Sequence, residues 1–153
     1  MKLSEIMKIA DIIPDLKSSD KKGVLEELSG VIVSCKPSLD KASLVRVLLE
    51  RERLGSTGIG DGVAIPHGKY SGISHPMISF GRSLKGLDFD SMDNQPAHLF
   101  FLLLAPENSA NMHLKILARI AKILKNSNFR KALLEATTKK DIYQAIIQND
   151  EEF

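Results

Sequence analysis

The sequence predicts an α/β fold, a small mixed β-sheet flanked on both faces by helices. Three observations lead there. The run 99–104 (L-F-F-L-L-L) is apolar at every position, as a central strand covered on both sides would be. Helical periodicity appears twice before it and three times after it. The resulting order of helix, helix, strands, helix, helix, helix does not alternate strictly, which favours a mixed sheet over a doubly wound parallel one.

Taken in chain order, the segment 11–16 (D-I-I-P-D-L) is apolar enough for a strand, and Pro14 confines it to a sheet edge or a strand start. From Ser19 onward Val24, Leu25, Leu28, Val31 and Ile32 recur at three- and four-residue spacing, with Ser18 or Ser19 as N-cap. Pro37 and Ser38 break this helix. Asp40 caps a second one, whose Leu44, Val45, Leu48 and Leu49 face inward and which ends near Leu54 and Gly55. A glycine-rich turn leads to the β-prone Val63-Ala64-Ile65, which should place His67 where a strand leaves the sheet. Pro66 holds Ile65 extended, and Gly68 leaves room beside the ring. The segment 77–84 reads as a strand whose alternation Arg82 interrupts, and 87–90 with 93–96 as a polar, turn-rich connection. After the apolar strand Pro106 stops the sheet, and Leu114, Leu117, Ile120, Ala121 and Leu124 form a helical stripe. Shorter helices are expected over 128–136 and 139–148.

At 153 residues the chain is expected to be a single domain, residues 1–153, with a core that needs neither disulfide nor metal. Hydrophobic content of 43%, charged content of 26% and no Trp describe an ordinary globular protein. A net charge of +2 and lysines spread along the chain give no basic block interleaved with aromatics, and so no support for nucleic-acid binding. The apolar run 99–105 is too short to span a bilayer. Glu5 interrupts what would be the apolar part of a signal peptide, so a cytoplasmic location is expected. The single cysteine, Cys35, follows the apolar Val31-Ile32-Val33 and is expected to be a buried, inert thiol.

Several site chemistries are disfavoured by spacing. Gly58, Gly60 and Gly62 suggest a dinucleotide loop, but that fingerprint follows a strand and opens a helix, whereas here a helix precedes and a strand follows. None of His67, His75, His98 and His113 lies three or four residues from another His or from Cys35, which argues against a metal site. No G-x-S-x-G elbow occurs. His75 and His98 read as surface or structural histidines. His67, held between Pro66 and Gly68, is either a functional imidazole or a strand-end histidine satisfied by backbone. His113 reads as a polar helix-start residue after Asn111, which could cap it. Glu50, Arg51, Glu52 and Arg53 look like a solvated helix end.

Together, L-x-E-R-E at 48–52, G-S-T-G-I-G-D-G-V-A-I-P-H-G-K at 55–69, D-N-Q-P at 93–96 and a helix opening on His113 resemble the bacterial phosphotransferase system enzyme IIA domains of the fructose/mannitol type. The likeness is strongest to the nitrogen-related branch and covers essentially the whole chain. The resemblance implies that family's sandwich fold, a phosphoryl group accepted on Nε2 of His67 from a phosphohistidine of HPr or its nitrogen-branch counterpart, and no metal or nucleotide cofactor. Nδ1 of His67 would be held by a backbone contact. Arg51 would place its guanidinium on the phosphoryl oxygens, and His113 would donate to the phosphoryl group or orient the His67 ring. Ser56 and Thr57 would offer hydroxyl donors, or else only shape their loop.

Two roles follow from the resemblance. One is a stoichiometric phosphocarrier whose phosphorylation state regulates a target such as a transporter or sensor kinase. The other is the IIA component of a sugar-uptake system passing phosphate to a IIB domain. The D-N-Q-P segment, and the lack of a fused IIB or IIC portion in these residues, favour the regulator. Without the resemblance, a histidine-dependent acid/base enzyme using His67 and His113 is the remaining reading, and it lacks a carboxylate partner visible in sequence.

Overall fold

A computed structural model of the chain describes residues 2–151. After two short 3-10 turns (Leu3–Glu5 and Ile9–Asp11) come β1 (Ile12–Ile13), α1 (Lys21–Cys35), α2 (Lys41–Arg53), β2 (Gly58–Gly60), β3 (Val63–Ala64), β4 (His67–Lys69), β5 (Met77–Leu87), β6 (Ala97–Ala105), α3 (Ala110–Leu124), α4 (Ser127–Glu135) and α5 (Lys139–Glu151). The strands form one mixed sheet in the order β1-β5-β6-β3-β2, with β4 pairing on β6 beyond β3. β5 and β6 run antiparallel, while β3 and β4 both lie parallel to β6.

The apolar run that predicted a covered central strand does what its two faces require. Leu99, Phe101 and Leu103 of β6 join one core with Phe80, Ile116, Ile120, Phe129, Leu133, Ile142 and Ile146, so this face is covered by α3, α4 and α5. Phe100, Leu102 and Leu104 point to the other, where Val24, Leu25, Leu28, Leu44 and Leu48 of α1 and α2 cover them. No helix among the described residues is long and apolar enough to cross a membrane.

Several elements differ from the sequence expectation for identifiable reasons. α1 is capped by Asp20 rather than Ser18 or Ser19: its carboxylate accepts from the Gly23 amide at 2.8 Å. Asp40 does precede α2, yet its side chain takes the Ser43 hydroxyl instead of a backbone amide. β5 continues to Leu87, past the expected end at 84, and Phe89 in the supposedly polar connection is fully buried, its ring edge-on to Phe100 at 5.4 Å. Arg82 breaks the alternation because it serves the chain, not the core: buried, it donates to the carbonyls of Leu133 and Ala136 at the end of α4 and to Pro14.

Two expectations about side chains are corrected. α3 opens three residues before His113, after Ser109, so Asn111 lies within the helix rather than capping it. Its packing on the sheet buries His113, Ile116, Ile120, Ile123 and Leu124, and leaves Leu114 62% exposed. Cys35, at the C-terminus of α1, is exposed rather than buried, and its thiol donates to Asp11 Oδ1 at 3.2 Å. Partial desolvation and the adjacent Asp11 carboxylate raise its pKa, which keeps it a thiol.

Candidate functional site

The glycine-rich segment folds as a hairpin, not a phosphate loop. β2 and β3 pair antiparallel across Asp61 and Gly62, both at positive φ (57° and 76°). The chain then leaves the sheet at Ile65 and Pro66 and re-enters at His67, the first residue of β4, in register with Leu103. His67 thus starts a strand where it was expected to follow one. Pro66 has no amide hydrogen to offer β6, but its carbonyl accepts from the Leu103 amide at 2.9 Å, which seats the ring firmly at the sheet.

Gly68 matters for a different neighbour than the ring. A Cβ there would stand 3.1 Å from Val47 Cγ1, so glycine permits α2 to lie directly on β4. That close approach sets the last turn of α2 beside His67. The first turn of α3, entering after β6 runs out, brings His113 from the other side.

The result is a shallow cleft of about 660 Å³ lined by Val47, Glu50, Arg51, Leu54, His67, Gly68, Lys69 and His113. The rings of His67 and His113 lie 5.4 Å apart, tilted by 55°. Nδ1 of His67 is 2.7 Å from the carbonyl oxygen of Ile65. A carbonyl can only accept, so Nδ1 carries the proton and Nε2 keeps its lone pair. Burial lowers the His67 pKa most, the hydrogen bond to the Ile65 carbonyl opposes it, the Arg51 guanidinium lowers it further, and Glu52 opposes by less. The ring is neutral at pH 7.

His113 is more deeply placed, 6% exposed, with Nδ1 buried and without a hydrogen-bond partner among the described residues. Burial, then His67, then Lys69 push its pKa down to about 4. Two neutral imidazoles therefore face a cleft whose remaining charges include Arg51, Lys69 and Glu50. Such a site can offer a nitrogen nucleophile and hold an anion beside it. Among the described residues no cluster of three or more His, Cys, Asp or Glu could hold a metal ion.

Of the residues singled out in the sequence, His67, Arg51 and His113 come together here. Arg51 donates from Nη1 to the Gly55 carbonyl at 2.9 Å, which turns its guanidinium along the cleft edge. Ser56 and Thr57 do not line the cleft: the Ser56 hydroxyl donates to the Phe89 carbonyl at 2.6 Å, and the Thr57 hydroxyl donates to Glu52. The run 50–53 is not uniformly solvated, since Glu52 is 8% exposed while its neighbours Glu50 and Arg53 face water. Lys69 and Glu52 were missed by the sequence reading. For Glu52 a signal existed, because an acid in the last turn of a helix opposes the helix dipole and needs a compensating partner. His98 is half-buried with Nδ1 2.9 Å from the Ser83 carbonyl, and His75 is exposed; neither reaches the cleft.

Comparison with known proteins agrees with this architecture. The chain is 40% identical over 146 residues to the nitrogen regulatory protein of Bradyrhizobium diazoefficiens, covering 95% of each chain. It is 39% identical over 150 residues to the fructose-specific EIIABC component of Bacillus subtilis, of which it spans only 24% of the length. The crystal structure of nitrogen regulatory protein IIA-Ntr from Neisseria meningitidis superposes with a TM-score of 0.88 at 33% identity, covering 94% of this chain and 98% of that one. The Escherichia coli mannitol IIA structure shares the fold, with a TM-score of 0.77 at 19% identity over 92% of this chain and 98% of its own. Residues 5–149 match the family model described as phosphoenolpyruvate-dependent sugar phosphotransferase system, EIIA 2, and with the fold and these relatives they show that the chain belongs to that family.

Proposed function

We propose that this protein is a phosphocarrier of the phosphotransferase system that accepts a phosphoryl group on Nε2 of His67 and regulates a partner through its phosphorylation state. The observation that carries this reading is the hydrogen bond from Nδ1 to the Ile65 carbonyl, which fixes the tautomer with its lone pair on Nε2. In the transfer, Nε2 attacks phosphorus in line, the new N–P bond forms as the donor's N–P bond breaks, and the departing pair stays on the donor imidazole. The His67 ring keeps its Nδ1 proton. Little is needed beyond alignment and neutralisation of the equatorial oxygens. Arg51 supplies the fixed positive charge, and His113 stands close enough to donate to the phosphoryl group or to orient the ring. Ser56 and Thr57 support the site by shaping the loop that ends at the glycine hairpin.

The donor fitting this chemistry is a phosphohistidine on a small HPr-like carrier, and the setting is the cytoplasm. The match to nitrogen regulatory proteins over nearly the full length of both chains supports the regulatory role. Similarity to the fructose-specific EIIABC component keeps a second reading in view, in which the phosphate passes on to a IIB domain. Incubation with phosphoenolpyruvate, enzyme I and the small carrier tests both. Acid-labile label is expected on the wild type and absent from His67→Ala; an unlabelled wild type overturns the phosphocarrier reading. Onward transfer of label to purified IIB domains identifies the sugar-uptake role, and its absence the regulatory one.

A further inference from the structure

Glu52 lies next to Arg51 in α2, but its carboxylate points into the protein and is nearly inaccessible. Its partners come from two other segments. Lys21, the first residue of α1, places Nζ 3.0 Å from Oε1, and Thr57 donates both its backbone amide (3.2 Å to Oε1) and its hydroxyl. Lys21 Nζ is itself held over the Phe89 ring at 4.7 Å and lies 3.2 Å from Asp90 Oδ2. A carboxylate at a helix C-terminus is opposed by the dipole, and burying it adds a desolvation cost. The paired cation and the two Thr57 donors offset both.

Two paths leave this carboxylate, one through hydrogen bonds and one along the backbone. Through the backbone of Thr57, whose carbonyl accepts from Ile65 N at 3.0 Å, the path continues to the Ile65 carbonyl and Nδ1 of His67. Along the short loop before Thr57, the Gly55 carbonyl takes Arg51 Nη1 at 2.9 Å. Gly55 sits at φ 151°, at the edge of the region that favours glycine. One buried acid thus secures the chain that orients the nucleophile and the chain that aims the arginine.

We infer that Lys21, Glu52 and Thr57 form a positioning unit that holds the His67 tautomer and the Arg51 guanidinium in mutual register for phosphoryl transfer. The inference rests on the phosphocarrier reading for its kinetic consequence. Its structural consequence stands without it. None of the three side chains lines the cleft, so none is a catalytic residue. Their effect reaches the reacting atoms through Thr57, Ile65 and Gly55.

The test compares wild type with Glu52→Gln, Thr57→Val and Thr57→Ser, each checked for folding by circular dichroism. The ¹⁵N shifts of the His67 ring are recorded without any phosphate donor, and the rate of labelling by the phosphorylated carrier is measured separately. Thr57→Val and Glu52→Gln are expected to move the His67 ring from a single Nδ1–H tautomer toward a mixture and to slow labelling about tenfold. Thr57→Ser, which keeps the hydroxyl, restores both. Folded Thr57→Val and Glu52→Gln proteins with wild-type ring shifts and labelling rates overturn the positioning role; if Glu52→Gln does not fold, the Thr57 pair decides. A wild type that takes no label, with variants whose ring shifts still move, sinks the phosphocarrier reading and leaves the positioning unit standing.

Discussion

His67 and His113 are both kept neutral chiefly by burial, and for His113 the consequence can be measured. For His113 the folded pKa is about 4 against an ordinary 6.5. As pH falls through 6.5 the unfolded chain takes up a proton that the folded chain refuses until about pH 4. Stability present above pH 6.5 is therefore lost across that window, on the order of 3 kcal/mol from this residue. Replacing His113 with Gln should flatten the acid limb of a stability-versus-pH curve from denaturant titrations; an unchanged limb would show that burial does not hold the ring neutral. His67, with its pKa lowered in the same direction, adds to the loss. Arg51→Ala should leave the fold intact, since its one described side-chain bond is to an exposed loop carbonyl, and should slow phosphorylation of His67 ten- to a hundredfold. Wild-type kinetics in that variant would return Arg51 to an ordinary helix-end residue.

At the scale of elements, period and punctuation carried most of the structure. The stripe at Val24, Leu25, Leu28 and Ile32 gave α1, and the two-sided apolar run gave β6, because a residue buried on one face must recur at the element's own period. Caps were less legible. Ser18, Ser19 and Asp20 are all good N-cap residues, and only the backbone decides that Asp20 reaches the Gly23 amide. Asp20→Ala should accordingly cost about 1 kcal/mol in chemical unfolding, while alanine at Ser19 costs nothing measurable. For α3 the sequence offered Asn111 as a start, and the helix instead begins at Ala110. How α3 packs on the sheet, not where it begins, turns His113 inward and leaves Leu114 in solvent.

Across the whole molecule, the two ends of the chain are joined by one buried acid. Asp150 in α5, 1% exposed, accepts from the Leu3 amide at 2.8 Å and from Arg119 of α3. Breaking a buried pair leaves its partner uncompensated. Asp150→Ala is thus expected to destabilise by about 3 kcal/mol and to expose the N-terminal turns to limited proteolysis. Equal midpoints for variant and wild type in urea would show that the chain ends contribute little to the fold.

The sequence by itself determined the sheet's central strand, the helices on either side of it, the resemblance carried by 48–52, 55–69 and 93–96, and His67 as the residue to explain. These are local matters of period, turn chemistry and motif. Only the tertiary structure decided what surrounds that ring: α2 pressed onto β4 through Gly68, His113 carried in from α3, and Ser56 and Thr57 turned away from the cleft. Only it revealed Glu52 as the buried anchor behind Arg51. The physical reason is that a side chain's partner is chosen by the packing of distant elements, so Lys21, Glu52 and Thr57 meet in space without any spacing that announces it.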